Sequence, residues 1–320
     1  MTKIPSFNEK KAREFVLNNK EPYAKLLLMR DIAEVSIDSK EFLKLQSQLF
    51  KEKGLVRLMD KQLSTGAWVV PEKEDVYTPL QKSTIWTLIL LGLMGINGSV
   101  EKRIEKAVDY IFETQYDHDL KNFHNHHDTW GDFMQSHNSS VLRALIRLGF
   151  TDNNYVKKAS FAHLDLIHGK EGYCPYKKGG YRCAWGLIKN LLFLNDWPKS
   201  WKNSKMKESI SACQDYLVSH DLSTASYPRV GEKPNNKWIN FSYFKTYHSD
   251  IFEGLESLII SGRKEGKIIS KTLEVVGKRC KDEKTWICDQ NNSMQLKLER
   301  KEQESPWLSL RGLKIHKYLN

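Results

Sequence analysis

The chain has 320 residues, of which 40% are hydrophobic and 11% aromatic, with nine Trp; this excludes a disordered chain and provides for a packed core. Its formal charge of +11 suits an anionic ligand, an acidic membrane surface or nucleic acid, yet the lysines are spread along the chain in pairs such as Lys10-Lys11, Lys157-Lys158 and Lys177-Lys178, as solvated helix faces require. Five cysteines with no apolar leader before them point to a reducing cytoplasm, and the longest apolar run, Thr87 to Ile96, is too short for a membrane span.

Taken in chain order, nearly every ordered segment has the period of a helix. KKAREFVLNN is followed by EPYAKLLLMRDIAEV, with Pro22 at a favourable first-turn position, and by SKEFLKLQSQLFKEKGLVRLMDKQL. STIWTLILLGLMGI, SVEKRIEKAVDYIFETQ, NSSVLRALIRLGF, NNYVKKASFAHLDLIH and RCAWGLIKNLLFL come next. KMKESISACQDYLVSH, DIFEGLESLIISG, KIISKTLEVVGKRC and SPWLSLRGLKIHKYL complete the series. Two kinds of helix alternate: one is apolar nearly all round and opens on Ser, Thr, Asn or Asp, and the next is amphipathic and rich in Lys and Glu. The first kind belongs inside and the second outside.

A repeat joins these pairs. QLSTGAW places Gln62, Gly66 and Trp68 at the end of an amphipathic helix. Weaker echoes occur at Gln115 with Phe123, at His168 with Gly172 and Tyr173, at Trp238, and at Cys280 to Trp286, a period of roughly 50 residues that suits a helix hairpin and its loop. The Gln amide is expected to satisfy helix-terminal backbone groups against the ring while Gly permits the turn.

QLSTGAW resembles the QW repeat of squalene cyclases and their relatives, and YTPLQKSTIWTLILLGLMG is similar to the start of an inner helix in prokaryotic cyclase-like proteins. SSVLRALIRLGFTDNNYVKKA, EGYCPYKKGGYRCAWGLIKNLLFL and SPWLSLRGLKIHKYL extend the likeness over residues 50 to 320. The resemblance implies the all-α, α/α toroid of terpenoid cyclases and protein prenyltransferase β subunits. In it about six hairpins form inner and outer rings. Residues 1–320 are then one domain, with 1–50 closing or flanking the ring.

In such a ring the amino-terminal ends of the inner helices share one mouth. Helix termini there favour an anionic head, with Lys82, Arg182 and Arg311 beside it. Trp86, Trp130, Trp185, Tyr243, Tyr247 and Trp307 are candidates to line an apolar cavity, the alternative being ordinary core. Ser136, His137 and Asn138, together with Cys183, open two of these helices. Prenyltransferase β subunits hold a zinc on Asp, Cys and His, which makes Cys174, Cys183, His248 and Asp250 the candidate metal set; buried cysteines and caps are the alternative. A second His- and Asp-rich stretch, Asp117 to Asp132, is either a metal loop or a solvated one.

The chain lacks the DxDD acid of squalene and hopene cyclases and the DDxxD element of ionising terpene synthases. Asp250, with His248, is the candidate acid, because burial raises a carboxyl pKa. The expected function is a toroid binding an apolar, isoprenoid-like ligand with an anionic head. The competing expectation is a non-catalytic helical-repeat module that binds protein or nucleic acid. A carbohydrate-active toroid would need a facing acid pair, and none is evident.

Overall fold

The computed structural model describes residues 3–70, 82–123, 135–170, 182–224, 236–291 and 295–320. Thirteen α-helices and one short hairpin lie among the described residues, and none of these helices is long and apolar enough to cross a membrane.

The alternation of helix types becomes an alternation of burial. Helices α5 (Thr84–Leu93), α7 (Gln135–Arg147), α9 (Ala184–Asn195), α11 (Ile251–Ile260) and α13 (Pro306–Leu319) are buried along most of their length. Every residue of α7 and α11 is buried. Helices α6 (Lys102–Thr114), α8 (Asn154–Ile167), α10 (Ser204–Val218) and α12 (Lys267–Lys278) bury one stripe each, as amphipathic helices covering a core do.

Caps fix where the buried helices start. Ser83, Asp250 and Ser305 accept hydrogen bonds from the backbone N–H three residues on, that of Trp86, Glu253 and Leu308 respectively. Each satisfies one of the N–H groups a helix start leaves open.

Every buried helix packs on the next: α5 on α7, α7 on α9, α9 on α11, α11 on α13. Each also packs on the amphipathic helix that follows it, giving α5 with α6, α7 with α8, α9 with α10 and α11 with α12. The amino-terminal segment completes the pattern. α1 (Glu9–Asn18) covers α13. α2 (Pro22–Leu27) continues into a π-helical turn, Leu28–Ile32, that packs on α13, and α3 (Lys40–Leu49) covers α2.

From that turn Arg30 donates to the carbonyls of Gly95 and Arg147. Gln46 of α3 exchanges two hydrogen bonds with the backbone of Asn97, at 2.9 and 2.7 Å. The first elements are thereby tied to the loop after α5.

The QLSTGAW repeat acts as a staple, but its two polar side chains divide the work differently from expectation. Gln62 Nε2 donates to Gly66 O and to Arg103 O of α6, at 2.8 and 2.7 Å. Leu58 O, in the last turn of α4 (Lys53–Met59), accepts from Trp68 Nε1 at 2.8 Å, beside a longer bond from Lys61 N at 3.3 Å. Trp286 repeats this, donating to Val276 O of α12 at 2.8 Å. Both indoles reach back ten residues.

The backbone N–H at the aromatic position also recurs. Trp68 N donates to Thr84 Oγ1 of α5 and Phe123 N to Asn138 Oδ1 of α7, at 2.9 and 2.8 Å. Gly66 has φ +99, and a Cβ there would lie 2.6 Å from Lys106 O, so only glycine makes this turn against α6.

Candidate ligand site at the amino-terminal ends of the buried helices

Two polar regions lie on the buried helices. The first is a ladder of charges. Charged side chains interrupt the apolar sequence of these helices at helical spacing: Arg143 and Arg147 on α7, Lys189 on α9, Glu253 and Glu256 on α11, Arg311 and Lys314 on α13. All seven are buried.

They pair with one another and with the ends of neighbouring elements. Lys189 Nζ contacts both oxygens of Glu253 at 2.8 and 2.9 Å. Arg311 Nε donates to Glu256 at 2.8 Å, and Lys314 lies 3.4 Å from Glu256 and 3.6 Å from Asp31. Arg147 reaches Asp31 at 3.0 Å, and Arg143 reaches Asp196, just beyond α9, at 2.7 Å.

Burial alone would push the Asp31 carboxyl up, but Arg147, Lys314 and Arg30 outweigh it and hold it down at about 2. Asp196 is likewise held well below the carboxylate range, burial being outweighed by Arg143 and Arg147. Opposite charges removed from water require such pairing.

The second region is the set of amino-terminal ends. Trp185, in the first turn of α9, meets His248 edge-on at 4.3 Å between centroids, and Trp238 lies 5.9 Å away. Tyr247 lies against His248 at 4.1 Å. Trp185, Tyr247 and His248 are half-buried, whereas Trp238 is buried. Beside them Arg182, also half-buried, sits over the Tyr216 ring at 5.4 Å and makes no ion pair among the described residues. Cys183 occupies the N-cap position of α9 without a side-chain cap bond.

Deeper in, several polar atoms at these ends are buried without a partner: His137 Nε2, Ser249 Oγ and Trp307 Nε1. His137 meets Trp86 edge-on at 5.7 Å, and burial drives its imidazole down to about 4, so it is neutral at physiological pH. Trp307 packs on Phe244 at 4.7 Å and Tyr243 at 5.6 Å. The loop carrying those two rings is pinned by Glu299, which accepts from the backbone N–H groups of Tyr243 and Phe244 and from the hydroxyls of Ser242 and Ser305.

The residues singled out from the sequence thus fall into three groups. Arg182, Cys183, Trp185, Tyr247 and His248 lie at the half-buried amino ends of α9 and α11. Trp86, His137 and Trp307 are core residues with 1% exposure or less. Asp250 and Arg311 belong to the ladder. Asp250 is fully buried and is the N-cap of α11; Oδ1 accepts from Glu253 N at 2.8 Å and lies 4.0 Å from Arg311, and Oδ2 lies 3.2 Å from Lys245. Its geometry is that of a cap and ion-pair partner.

Among the described residues no group of three or more His, Cys, Asp and Glu is placed to hold a metal. Cys174, Trp130, His124, His126, His127 and Asp128 lie outside those residues.

Sequence reasoning missed the ladder and a second buried junction. In that junction Ser139 Oγ donates to Asn190 Oδ1 at 2.6 Å and lies 2.9 Å from His163 Nε2, and Asn190 donates to Gln135 Oε1 at 3.0 Å. The signal for both was present, as charged or amide residues inside helices that are otherwise apolar all round. Neither a protein-family model nor a curated protein matches the chain, so the case for a site rests on this geometry.

Proposed function

We propose that the chain is an α/α toroid that binds an apolar, isoprenoid-like ligand with an anionic head at the amino-terminal ends of its inner helices. The pairing of the five buried helices and of α2, each with an amphipathic neighbour, and the links from Arg30 and Gln46 to the loop after α5 support a closed ring. The observation that carries the binding reading is the half-buried aromatic group Trp185, Tyr247 and His248 at the amino ends of α9 and α11, with Arg182 three residues before Trp185 and in no ion pair among the described residues. Half-buried aromatic rings close in sequence to a guanidinium that makes no ion pair among the described residues match a ligand that is apolar along its body and negative at one end. Asp250 is committed to its cap and to Lys245, so the proposed activity is binding rather than protonation of an olefin.

Calorimetric titration with farnesyl diphosphate, farnesol and inorganic diphosphate tests this. The diphosphate ester is expected to bind best, with Trp185→Ala and Arg182→Gln each weakening it about tenfold. No heat with the ester, together with RNA binding that falls steeply with salt, would replace this reading with that of a nucleic-acid-binding repeat.

A further inference from the structure

A cleft of about 400 Å³ lies between the turn joining α1 to α2 and the segment leading into α13. Its lining includes Asn19, Lys20, Glu21, Lys297, Arg300 and Gln303. Lys20, Lys297 and Arg300 make no ion pair among the described residues, even though three carboxylates line the same cleft. Two of those carboxylates are already engaged. Glu299 holds the Tyr243 loop and Ser305, and Glu304 pairs with Lys281 at 3.0 Å and lies 3.8 Å from Lys284.

The third, Glu21, accepts one weak bond from Tyr23 N at 3.3 Å and has no cation partner among the described residues. Cys288, also in the lining, spends its thiol on Gln290 O. Three cations and one carboxyl, none of them in an ion pair among the described residues, together with two side-chain amides, therefore line a polar space large enough for a metabolite. Apolar lining is confined to Leu298 and Pro306, which disfavours a lipid.

We infer that this cleft binds a phosphorylated polyhydroxyl compound of the sugar-phosphate class. The phosphate takes the cations, Arg300 offering a planar fork for its oxygens. The hydroxyls take Glu21, the Gln303 amide, which both gives and accepts hydrogen bonds, and the Asn19 NH2, whose Oδ1 already accepts from Glu21 N at 2.9 Å. Burial and the nearby Glu52 push the Glu21 carboxyl up to about 7, against the bond from Tyr23 N. At neutral pH it therefore exists in both forms and can donate to a hydroxyl as well as accept from one.

Saturation-transfer NMR and calorimetry on the full chain, with glucose 6-phosphate, ribose 5-phosphate and glycerol 3-phosphate as probes, test the inference. Glucose and inorganic phosphate serve as separate arms. At least one sugar phosphate is expected to bind at millimolar or lower concentration and more than about tenfold more tightly than either control. The double substitution Lys297→Gln with Arg300→Gln, both at exposed positions, is expected to lower that affinity at least about tenfold while leaving the thermal midpoint in place. Glu21→Ala should weaken the sugar phosphates but not inorganic phosphate. Binding of phosphate as tight as that of its esters, binding untouched by the double substitution, or no binding by any probe would each overturn the inference. None of these outcomes bears on the aromatic site at α9 and α11.

Discussion

The charge ladder and the amino-terminal ends occupy the same helices but treat their polar atoms in opposite ways. In the ladder, Lys189, Arg311, Lys314, Arg147 and Arg143 each have a carboxylate within 3.6 Å. At the amino-terminal ends, His137 Nε2, Ser249 Oγ and Trp307 Nε1 are buried with no hydrogen-bond partner among the described residues, and Arg182 lies over the Tyr216 ring. A buried group left open costs about 1–3 kcal/mol, so the amino-terminal ends forgo stability that the ladder secures. The ladder is framework, and the amino ends are the region to which the proposed ligand is assigned.

Substitutions sharpen that contrast. Asp31→Asn should be the most damaging, because it leaves Arg147 and Lys314 without one carboxylate; a loss of about 3–5 kcal/mol is expected in urea unfolding. A loss under about 1 kcal/mol would mean that the ladder is not framework.

His137 sets an acid limit. Its folded pKa of about 4 lies below the unfolded value of 6.5, so the unfolded chain binds the extra proton between these values. The stability present above pH 6.5 is then lost as pH falls toward 4, by about 3 kcal/mol for the full shift. His137→Phe should remove that part of the acid dependence, measured as the slope of unfolding free energy against pH. Glu21 has the opposite sign: with its pKa raised to about 7, its contribution is present at low pH and fades as pH rises through 7.

Trp286→Phe strips one of the two N–H groups from which Val276 O accepts, the other being that of Arg279, and should cost about 1 kcal/mol. The equivalent change at Trp68 should cost a similar amount if the repeat is one device used twice. At the far end of the scale, Arg182→Gln should change stability by about 0.5 kcal/mol or less while weakening the proposed ligand. A large stability loss there would erase the distinction between the two regions.

Alternating burial was legible because it depends only on period: α5 and α11 read as apolar all round, and α6 and α12 read as amphipathic. The caps Ser83, Asp250 and Ser305 follow from local backbone chemistry and were legible in the same way. The partners of the ladder were not, since Asp31 meets Arg147 across 116 positions and only packing brings them together.

The same limit explains Asp250. A carboxyl opening a buried helix reads as an acid in a pocket until Lys245 and Arg311 are seen against it. Trp68 and Gln62 were recognisable as a motif, but which of the two completes α4 depends on where α6 arrives.

The ladder also bears on how the chain comes together. Arrays of helical hairpins ordinarily gain stability from adjacent units and can open from one end. Here Arg143 and Arg147 of one hairpin are neutralised by the α2 turn and by the end of α9, and Glu256 by α13. An intermediate missing any of these pieces would strand lone charges in a dry interior, so assembly should proceed in a single cooperative step, with incomplete forms short-lived.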